Sequence, residues 1–246
     1  YLSPQICEKI FSGAEFSTKS ARKKLTIFFS DIIGFTTLSE QMEAEDLSNF
    51  LNFYLTNMCD IALKFGGTID KFIGDSLMIF FGDPDTQGVQ EDAAACCHMA
   101  MEMLAFLESN QQHFQEMYNF PEKLEIRVGI HNGLCNVGNF GSAQRLDYTA
   151  IGRAVNVASR LEQAAPKNSI LVSSAVRNLI KNKFETSSPI EVKAKGIDKP
   201  IASYVLTRQG SINSKVIKEM DGLKLEYDPK KITKDKLLEI IDKLEN

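Results

Sequence analysis

The stretch LTIFFSDIIGFT, residues 25–36, decides the fold of this 246-residue chain. Its first five residues are almost all apolar and β-prone, which predicts a strand that is buried on both faces. Asp31 falls at the end of that strand. A carboxylate directly after so apolar a run indicates a functional position, although Asp31 could also simply cap the segment that follows.

A second aspartate lies at a predicted hairpin tip. TIDKFIGDSLMIFFG, residues 68–82, is typical of two strands joined by a tight turn at Gly74 and Asp75, since glycine tolerates positive φ in a two-residue loop. Taken alone, Asp75 could merely supply turn chemistry. If the two strands are neighbours in the sheet, Asp31 and Asp75 converge, and two convergent carboxylates suit Mg²⁺ together with substrate phosphates.

Helices alternate with these strands. Apolar residues recur at intervals of three and four over residues 44–65 and 89–107, and a third helix is predicted over 153–165. A polar connector is expected as far as Pro121, and LEIRVGIHNG and CNVGNFG then predict a further pair of strands. This order indicates an α+β sandwich with helices on one face of a mainly antiparallel sheet.

The two ends of the chain differ from this core, which we place at residues 24–207. SPQICEKIF predicts a short N-terminal helix, and residues 1–23 are interpreted as a linker from an upstream region. Residues 211–246 carry eight basic and eight acidic side chains. Residues 208–246 are therefore expected to form a charged extension, which ends in one short amphipathic helix over 237–244.

Composition excludes several classes of function. The apolar runs are far shorter than the roughly 20 residues that a membrane-spanning helix needs. A net charge of −4 offers no broad basic surface, so no nucleic-acid partner is expected. Five widely spaced cysteines favour a reduced, cytoplasmic chain, although its parent protein could be tethered to a membrane. The three histidines have no zinc-site spacing, so any metal would be held by carboxylates, and no P-loop motif occurs.

Four further residues carry chemistry that can be interpreted in two ways. Asn156 and Arg160 are four residues apart and share one helix face. A guanidinium there could meet phosphate oxygens as charge builds in a transition state, or it could pair with a neighbour on the helix surface. Lys71 is by default a solvated charge, and Thr149 is by default a β-prone strand residue.

Four motifs, in this order and at these intervals, resemble the catalytic domain of the class III nucleotide cyclases: FFSDIIGFT, DKFIGD, RVGIHNG and DYTAIGRAVNVASRLE. The resemblance spans roughly residues 24–207. It implies a ferredoxin-like α+β fold and a twofold homodimer with shared active sites. It also implies conversion of ATP to cyclic AMP and pyrophosphate with two Mg²⁺ ions per site, for which Mn²⁺ can substitute. A regulatory or sensor domain is then expected upstream in the parent protein.

The same resemblance assigns roles to the residues that carry chemistry. Asp31 and Asp75 match the two metal aspartates, and Ile32 is assigned to the metal site with them. Asn156 matches the residue that orients the ribose region, and Arg160 matches the arginine that stabilises the transition state. No dedicated protein base is expected, which suits a mechanism built on metals and positioning.

Nucleotide recognition is assigned in the same way. Lys71 and Thr149 match the pair that reads the purine. The lysine for the terminal phosphate lies in a strand like VKAKG, where we favour Lys195 over Lys193. The remaining substrate contacts are assigned to the segment after Asp31, namely Ile32, Gly34, Phe35 and Thr36.

Two alternative functions differ in class. A guanylate cyclase is disfavoured because a lysine donor suits the unprotonated N1 of adenine and not the N1–H of guanine. Thr149 stands where many relatives have aspartate, and a hydroxyl that both donates and accepts would reject guanine less firmly. Leu134 stands where some relatives have arginine. A catalytically silent nucleotide-binding or dimerisation module would have lost at least one metal, asparagine or arginine position, and all are occupied.

Overall fold

The computed structural model describes residues 11, 20–118, 120, 123–142, 144–192, 200–207, 216–220 and 223–227. The chain divides into two compact units, residues 1–206 and 207–246. The predicted N-terminal helix, apart from residue 11, and the predicted C-terminal helix lie outside the described residues.

Six helices and nine strands follow one another in the described residues up to 207. The helices are α1 (Phe35–Gln41), α2 (Ala44–Lys64), α3 (Val89–Ser109), α4 (Gln111–Tyr118), α5 (Arg153–Ala164) and α6 (Ser174–Ile180). The strands are β1 (Ala21–Ile32), β2 (Thr68–Ile73), β3 (Ser76–Phe81), β4 (Ile126–Ser142), β5 (Arg145–Ile151), β6 (Ser169–Ser173), β7 (Glu185–Thr186), β8 (Ile190–Val192) and β9 (Ile201–Thr207). The long helices α2 and α3, the helix α5 and the β2–β3 hairpin are confirmed predictions. No described helix is long and apolar enough to cross a membrane.

The strands form one sheet in the order β2-β3-β1-β4-β6-β9-β7, in which β5 also pairs with β4 and β8 with β9. β1 is antiparallel to both of its neighbours, β3 and β4, and β4 runs parallel to β6. The prediction of a mainly antiparallel sheet is confirmed. Because β1 and β3 are adjacent, the end of β1 and the β2–β3 turn meet at the same edge.

The core lies on both faces of the sheet. Phe28 and Ile32 of β1 pack into the cluster that contains α2 and α3. Leu25 and Ile27 point the other way, into a second cluster with Ala158 of α5. The prediction that β1 is buried on both faces is therefore confirmed. The expectation that helices cover only one face was wrong, because α5 covers the second.

Glycine in β4 allows α5 to approach the sheet so closely. A Cβ atom on Gly129 would lie 2.1 Å from the backbone nitrogen of Glu162 and 2.4 Å from the carbonyl oxygen of Ala158. Both distances are far below van der Waals contact. Only glycine therefore fits between β4 and α5 at this position.

Two segments differ from their sequence predictions. β4 is one strand of 17 residues rather than a pair of short strands. It continues because β1 begins at Ala21, earlier than expected, and supplies ladder partners for β4 as far as Val137. The polar connector contains α4, where Phe114 is fully buried and lies edge-on to Phe50 with 6.0 Å between ring centroids. One buried aromatic in a polar stretch produces little apolar periodicity, so the helix was not predicted.

The second unit contains an antiparallel hairpin of β10 (Val216–Met220) and β11 (Leu223–Tyr227). The sequence interpretation expected no strands here. The high density of charged residues had obscured the alternation that a short hairpin needs.

Candidate active site

Asp31 and Asp75 meet at the edge where β1 ends and the β2–β3 turn begins. Gly74 takes a φ of +65° in this turn, which a side chain would oppose. Asp75 then reaches across to β1, where its Oδ2 accepts a hydrogen bond of 2.8 Å from the backbone N–H of Ile32. The sequence placed the two aspartates near each other only on the condition that their strands were neighbours, and the structure meets that condition.

The two carboxylates repel one another. Asp75 is buried, and this burial, together with the negative charge of Asp31, raises its pKa to about 6, although the hydrogen bond from Ile32 acts in the opposite direction. A divalent cation would relieve this repulsion, and carboxylate oxygens are the ligands that Mg²⁺ prefers. In the part of the chain that the structure describes, no three His, Cys, Asp or Glu side chains are grouped to hold a metal alone. The two aspartates therefore fit a metal site in which oxygen atoms of the substrate supply the remaining ligands.

Arg127 belongs to this region, and sequence reasoning missed it. It stands opposite Asp31 in the β1–β4 ladder. Its Nη2 lies 3.0 Å from Oδ2 of Asp31, and its Nε lies 3.4 Å from Oε1 of Glu162. The hydroxyl of Ser76 donates to the other oxygen of Asp31. We call Asp31, Asp75, Glu162, Arg127 and Ser76 the carboxylate corner.

Negative charge exceeds positive charge in this corner. Glu162 is only 5% exposed. Its burial, and then the charge of Asp31, raises its pKa to about 7, and Arg127 lowers it in part. The corner holds three acids and one guanidinium, which pairs with Asp31 and Glu162, so the corner is better suited to a cation than to another anion.

Lys71 and Thr149 are brought together by Asp70, a second residue that sequence reasoning missed. The Thr149 hydroxyl lies 2.7 Å from Oδ2 and 3.0 Å from Oδ1 of Asp70. The backbone N–H of Ala150 donates to Oδ2 at 3.1 Å, and Nζ of Lys71 lies 3.3 Å from Oδ1. We call these four residues the Asp70 cluster.

A β-bulge explains how Asp70 and Lys71 can share a cluster. Consecutive side chains on a regular strand point to opposite faces. The β2–β3 register passes from Ile69 opposite Ile79 to Lys71 opposite Met78, so Asp70 has no partner in the ladder. The extra residue redirects its side chain, as bulges near functional sites do.

Asn156 and Arg160 lie on the surface of α5, the helix that also carries Glu162 of the carboxylate corner. Asn156 is exposed, and Arg160 is half-buried. Nη1 of Arg160 lies 2.8 Å from Oε1 of Gln163, one turn along the same helix. No described contact joins either side chain directly to the carboxylate corner or to the Asp70 cluster, although the carbonyl of Gln163 also accepts from Nη1 of Arg127 at 3.4 Å.

The segment assigned to the substrate forms the turn between β1 and α1. Gly34 takes a φ of +75°, in the left-handed region, and its carbonyl accepts from Leu38 N at 3.0 Å as α1 begins. Ile32 is buried, Phe35 is half-buried and Thr36 is exposed. The candidate phosphate lysines, at positions 193 and 195, lie outside the described residues.

Both missed residues carry a signal that the sequence does contain. Arg127 is a lone charge inside the otherwise apolar strand sequence IRVGI, and Asp70 precedes Lys71 inside a predicted strand. A charge within a buried strand requires a partner. The partners themselves come from residues 31, 149 and 162, which only the fold brings near.

Known proteins share this fold and these motifs. A sequence model of the adenylate and guanylate cyclase catalytic domain matches residues 18–208. An adenylate cyclase of Anabaena cylindrica is 35% identical over 208 residues, which are 82% of this chain and 39% of the relative. This chain therefore spans well under half of that relative's length.

Solved structures agree with the sequence matches. The adenylyl cyclase CyaB from P. aeruginosa has a TM-score of 0.75 and 48% identity, covering 78% of this chain and 97% of that chain. The guanylyl cyclase Cya2 has a TM-score of 0.71 and 32% identity, covering 76% and 93% respectively.

Proposed function

The chain belongs to the adenylate and guanylate cyclase catalytic domain family, and on that premise we propose that it converts ATP to 3′,5′-cyclic AMP and pyrophosphate. One observation carries the proposal: Asp31 and Asp75, on separate elements, converge at one edge of the sheet. Catalytic domains of this class are generally metal-dependent. Two mutually repelling carboxylates, of which Asp75 is buried and Asp31 is half-buried, suit the metal ions that such a domain requires.

Asp31 and Asp75 are the carboxylates that hold Mg²⁺ or Mn²⁺ in this proposal, with Ile32 beside them. Two ions bound there supply positive charge that lowers the pKa of the ribose 3′-hydroxyl and balances the charge of the triphosphate. The protein's own contribution is position. The amide of Ile32 fixes Asp75, and Ser76 and Arg127 hold the two oxygens of Asp31.

The residues on α5 act on the substrate from a second chain. Arg160 stabilises negative charge on the reacting phosphate, and Asn156 orients the ribose region. No described contact joins their side chains to Asp31 or Asp75 of the same chain, which supports a homodimer in which each site combines the aspartates of one protomer with Asn156 and Arg160 of its partner. The triphosphate is held by the turn at 32–36 and by Lys195.

Lys71 and Thr149 determine the selectivity for adenine over guanine. The Lys71 ammonium donates to N1 of adenine, and the Thr149 oxygen accepts from the 6-amino group. Guanine presents N1–H to the lysine, so that hydrogen bond is lost, and it presents a carbonyl oxygen to the threonine, which an unrestrained hydroxyl meets only by turning to donate. A site built for such hydrogen bonds strongly rejects a ligand that cannot form them.

The test is to incubate the chain with ATP or GTP and Mg²⁺ or Mn²⁺ and to identify the product by mass spectrometry. We expect cyclic AMP, and no product when a chelator is present. Cyclic GMP as the main product would make the chain a guanylate cyclase. Nucleotide binding without any cyclic product at high protein concentration would make it a silent binding module.

A further inference from the structure

Asp70 is a buried acid that the proposed reaction leaves without a role. Its side chain is fully buried, and it contacts both residues of the proposed purine pair. We propose that Asp70 determines base selectivity by fixing the Thr149 hydroxyl as a hydrogen-bond acceptor toward the substrate. The inference rests on the proposed function, because it assumes that Lys71 and Thr149 read a purine.

The partners of Asp70 fix the direction of its hydrogen bonds. A backbone N–H and a lysine ammonium can only donate, so Ala150 and Lys71 both require Asp70 as an acceptor. Burial raises the pKa of Asp70, and the hydrogen bonds from Thr149, Ala150 and Lys71 oppose that rise. The ammonium of Lys71 and the N–H of Ala150 favour the ionised carboxylate, toward which the single hydrogen of the Thr149 hydroxyl then also points.

This arrangement leaves only lone pairs of the Thr149 oxygen for a ligand. A free hydroxyl can turn to donate to the O6 of guanine or to accept from the amino group of adenine. The hydroxyl held by Asp70 can only accept. Guanine is then rejected more firmly than an unrestrained threonine would reject it.

The same carboxylate also positions Lys71. The bulge places Asp70 beside Lys71, and the 3.3 Å contact holds the ammonium near Thr149. One side chain thus sets the orientation of both groups that read the base. Asp70 does not itself touch the substrate, so it is a positioning residue.

The central experiment is Asp70→Asn, with kcat/KM measured for ATP and for GTP. The amide keeps the shape of the side chain, but replaces an acceptor oxygen with an NH₂ donor, and the Thr149 hydroxyl is free to turn. We expect the ratio of kcat/KM for ATP to that for GTP to fall at least about tenfold. The value for ATP should fall and that for GTP should rise, a pattern that general destabilisation does not produce.

Asp92→Asn is the matched control. Asp92 is also buried, at 7% exposure, and accepts from the hydroxyl of Thr86 and the backbone N–H of Gln87. The substitution removes the same kind of contact at the start of α3. We expect the ATP to GTP ratio to stay at its wild-type value.

Thr149→Val tests whether Asp70 acts through the hydroxyl. In the Thr149→Val background, Asp70→Asn should change the ratio less than it does with Thr149 present, since there is no hydroxyl to turn and only the contact with Lys71 is altered. An equal change in both backgrounds, or an unchanged ratio in the Thr149 background, overturns the inference. If Asp70→Asn fails to fold, the wild type can be compared on ATP and purine riboside triphosphate, which lacks the 6-amino group. Equal use of these two nucleotides also overturns it.

The wild-type measurement separates the two proposals. If the unmodified chain prefers GTP, the proposed function itself fails. If it prefers ATP and Asp70→Asn keeps the wild-type ratio, only the role of Asp70 fails.

Discussion

The carboxylate corner and the Asp70 cluster are both built around aspartate, but the balance between negative groups and their donors differs. In the corner, one guanidinium pairs with two of the three acids, and the pKa values of Asp75 and Glu162 are raised to about 6 and about 7. In the cluster, a single buried acid faces three donors from Lys71, Thr149 and Ala150. The first has unbalanced charge, and the second is internally satisfied.

This difference in charge balance matches the charge of the ligand proposed for each region. A region with excess negative charge gains stability when a cation binds, and it costs stability while it is empty. A region whose hydrogen bonds are already satisfied presents a fixed pattern to a neutral base without cost. The comparison indicates where the protein holds a charged ligand and where it holds an uncharged one.

The largest expected effect is on the corner. Asp31→Asn or Asp75→Asn should lower kcat/KM at least about 100-fold, because each removes a ligand of ions that supply several kcal/mol of charge stabilisation. Steady-state assays of cyclic AMP formation measure this, with Asp92→Asn as the control. Full activity in either variant would remove the metal assignment.

Asp75→Asn should at the same time stabilise the metal-free fold at neutral pH. The raised pKa means that the protonated carboxyl is favoured in the fold. The protonated carboxyl of Asp75 therefore adds to the free energy of unfolding below about pH 4. This contribution is lost as pH rises through about 6. An amide keeps that contribution, so the free energy of unfolding at pH 8 should rise by up to about 3 kcal/mol. Urea unfolding in chelator at pH 4 and pH 8 measures it, and a loss of stability at pH 8 would contradict the excess of negative charge.

The next effect tests whether Asp31 and Asp75 of one chain act together with Arg160 of a second chain. Asp31→Ala and Arg160→Ala should each be nearly inactive alone. Mixed in equal amounts, half of the dimers are heterodimers with one intact site of two, so activity should return to roughly a quarter of wild type. Activity should also fall on dilution below the dimer dissociation constant. With chain exchange verified, a mixture that stays inactive would place the whole site in one chain.

The pH dependence of the stability of Glu162→Gln tests the excess of negative charge in the carboxylate corner. Glu162 has an ordinary pKa near 4.5, which the fold raises to about 7. The protonated Glu162 side chain stabilises the wild-type fold below about pH 4.5, and this stabilisation is lost as pH rises through about 7. The glutamine variant does not titrate and so avoids the loss. The difference between variant and wild type should grow by up to about 3 kcal/mol between pH 4.5 and pH 8. A difference in the free energy of unfolding that stays constant from pH 4.5 to pH 8 would show that Arg127 neutralises Glu162 fully.

The smallest effect is expected on the surface of α5. Gln163→Ala removes the 2.8 Å partner of Arg160 but leaves its charge. Such partly exposed contacts contribute a few tenths of a kcal/mol, so kcat should change less than about threefold. A larger loss would make Gln163 part of the machinery that orients Arg160.

The fold was predictable where the sequence pattern is local. The apolar run of β1, the glycine turn before Asp75 and the periodicity of α2 and α3 each determine an element without help from distant residues. The convergence of Asp31 with Asp75 followed from these elements and one assumption about strand order. Asp70 and Arg127 were not predictable, because their roles depend on residues 31, 149 and 162 that the chain brings near only when it is folded. The packing of α5 on the second face was also missed, since it depends on the missing side chain of Gly129.

The contact between Gly129 and α5 has a genetic consequence. Alanine differs from glycine by one codon base and one methyl group, yet that methyl would overlap the backbone of α5 at residues 158 and 162. The helix would have to move away from the sheet, and Asn156 and Arg160 would move with it. A screen for loss-of-function alleles should therefore recover Gly129→Ala alongside changes in the reacting residues, although residue 129 has no side-chain chemistry of its own.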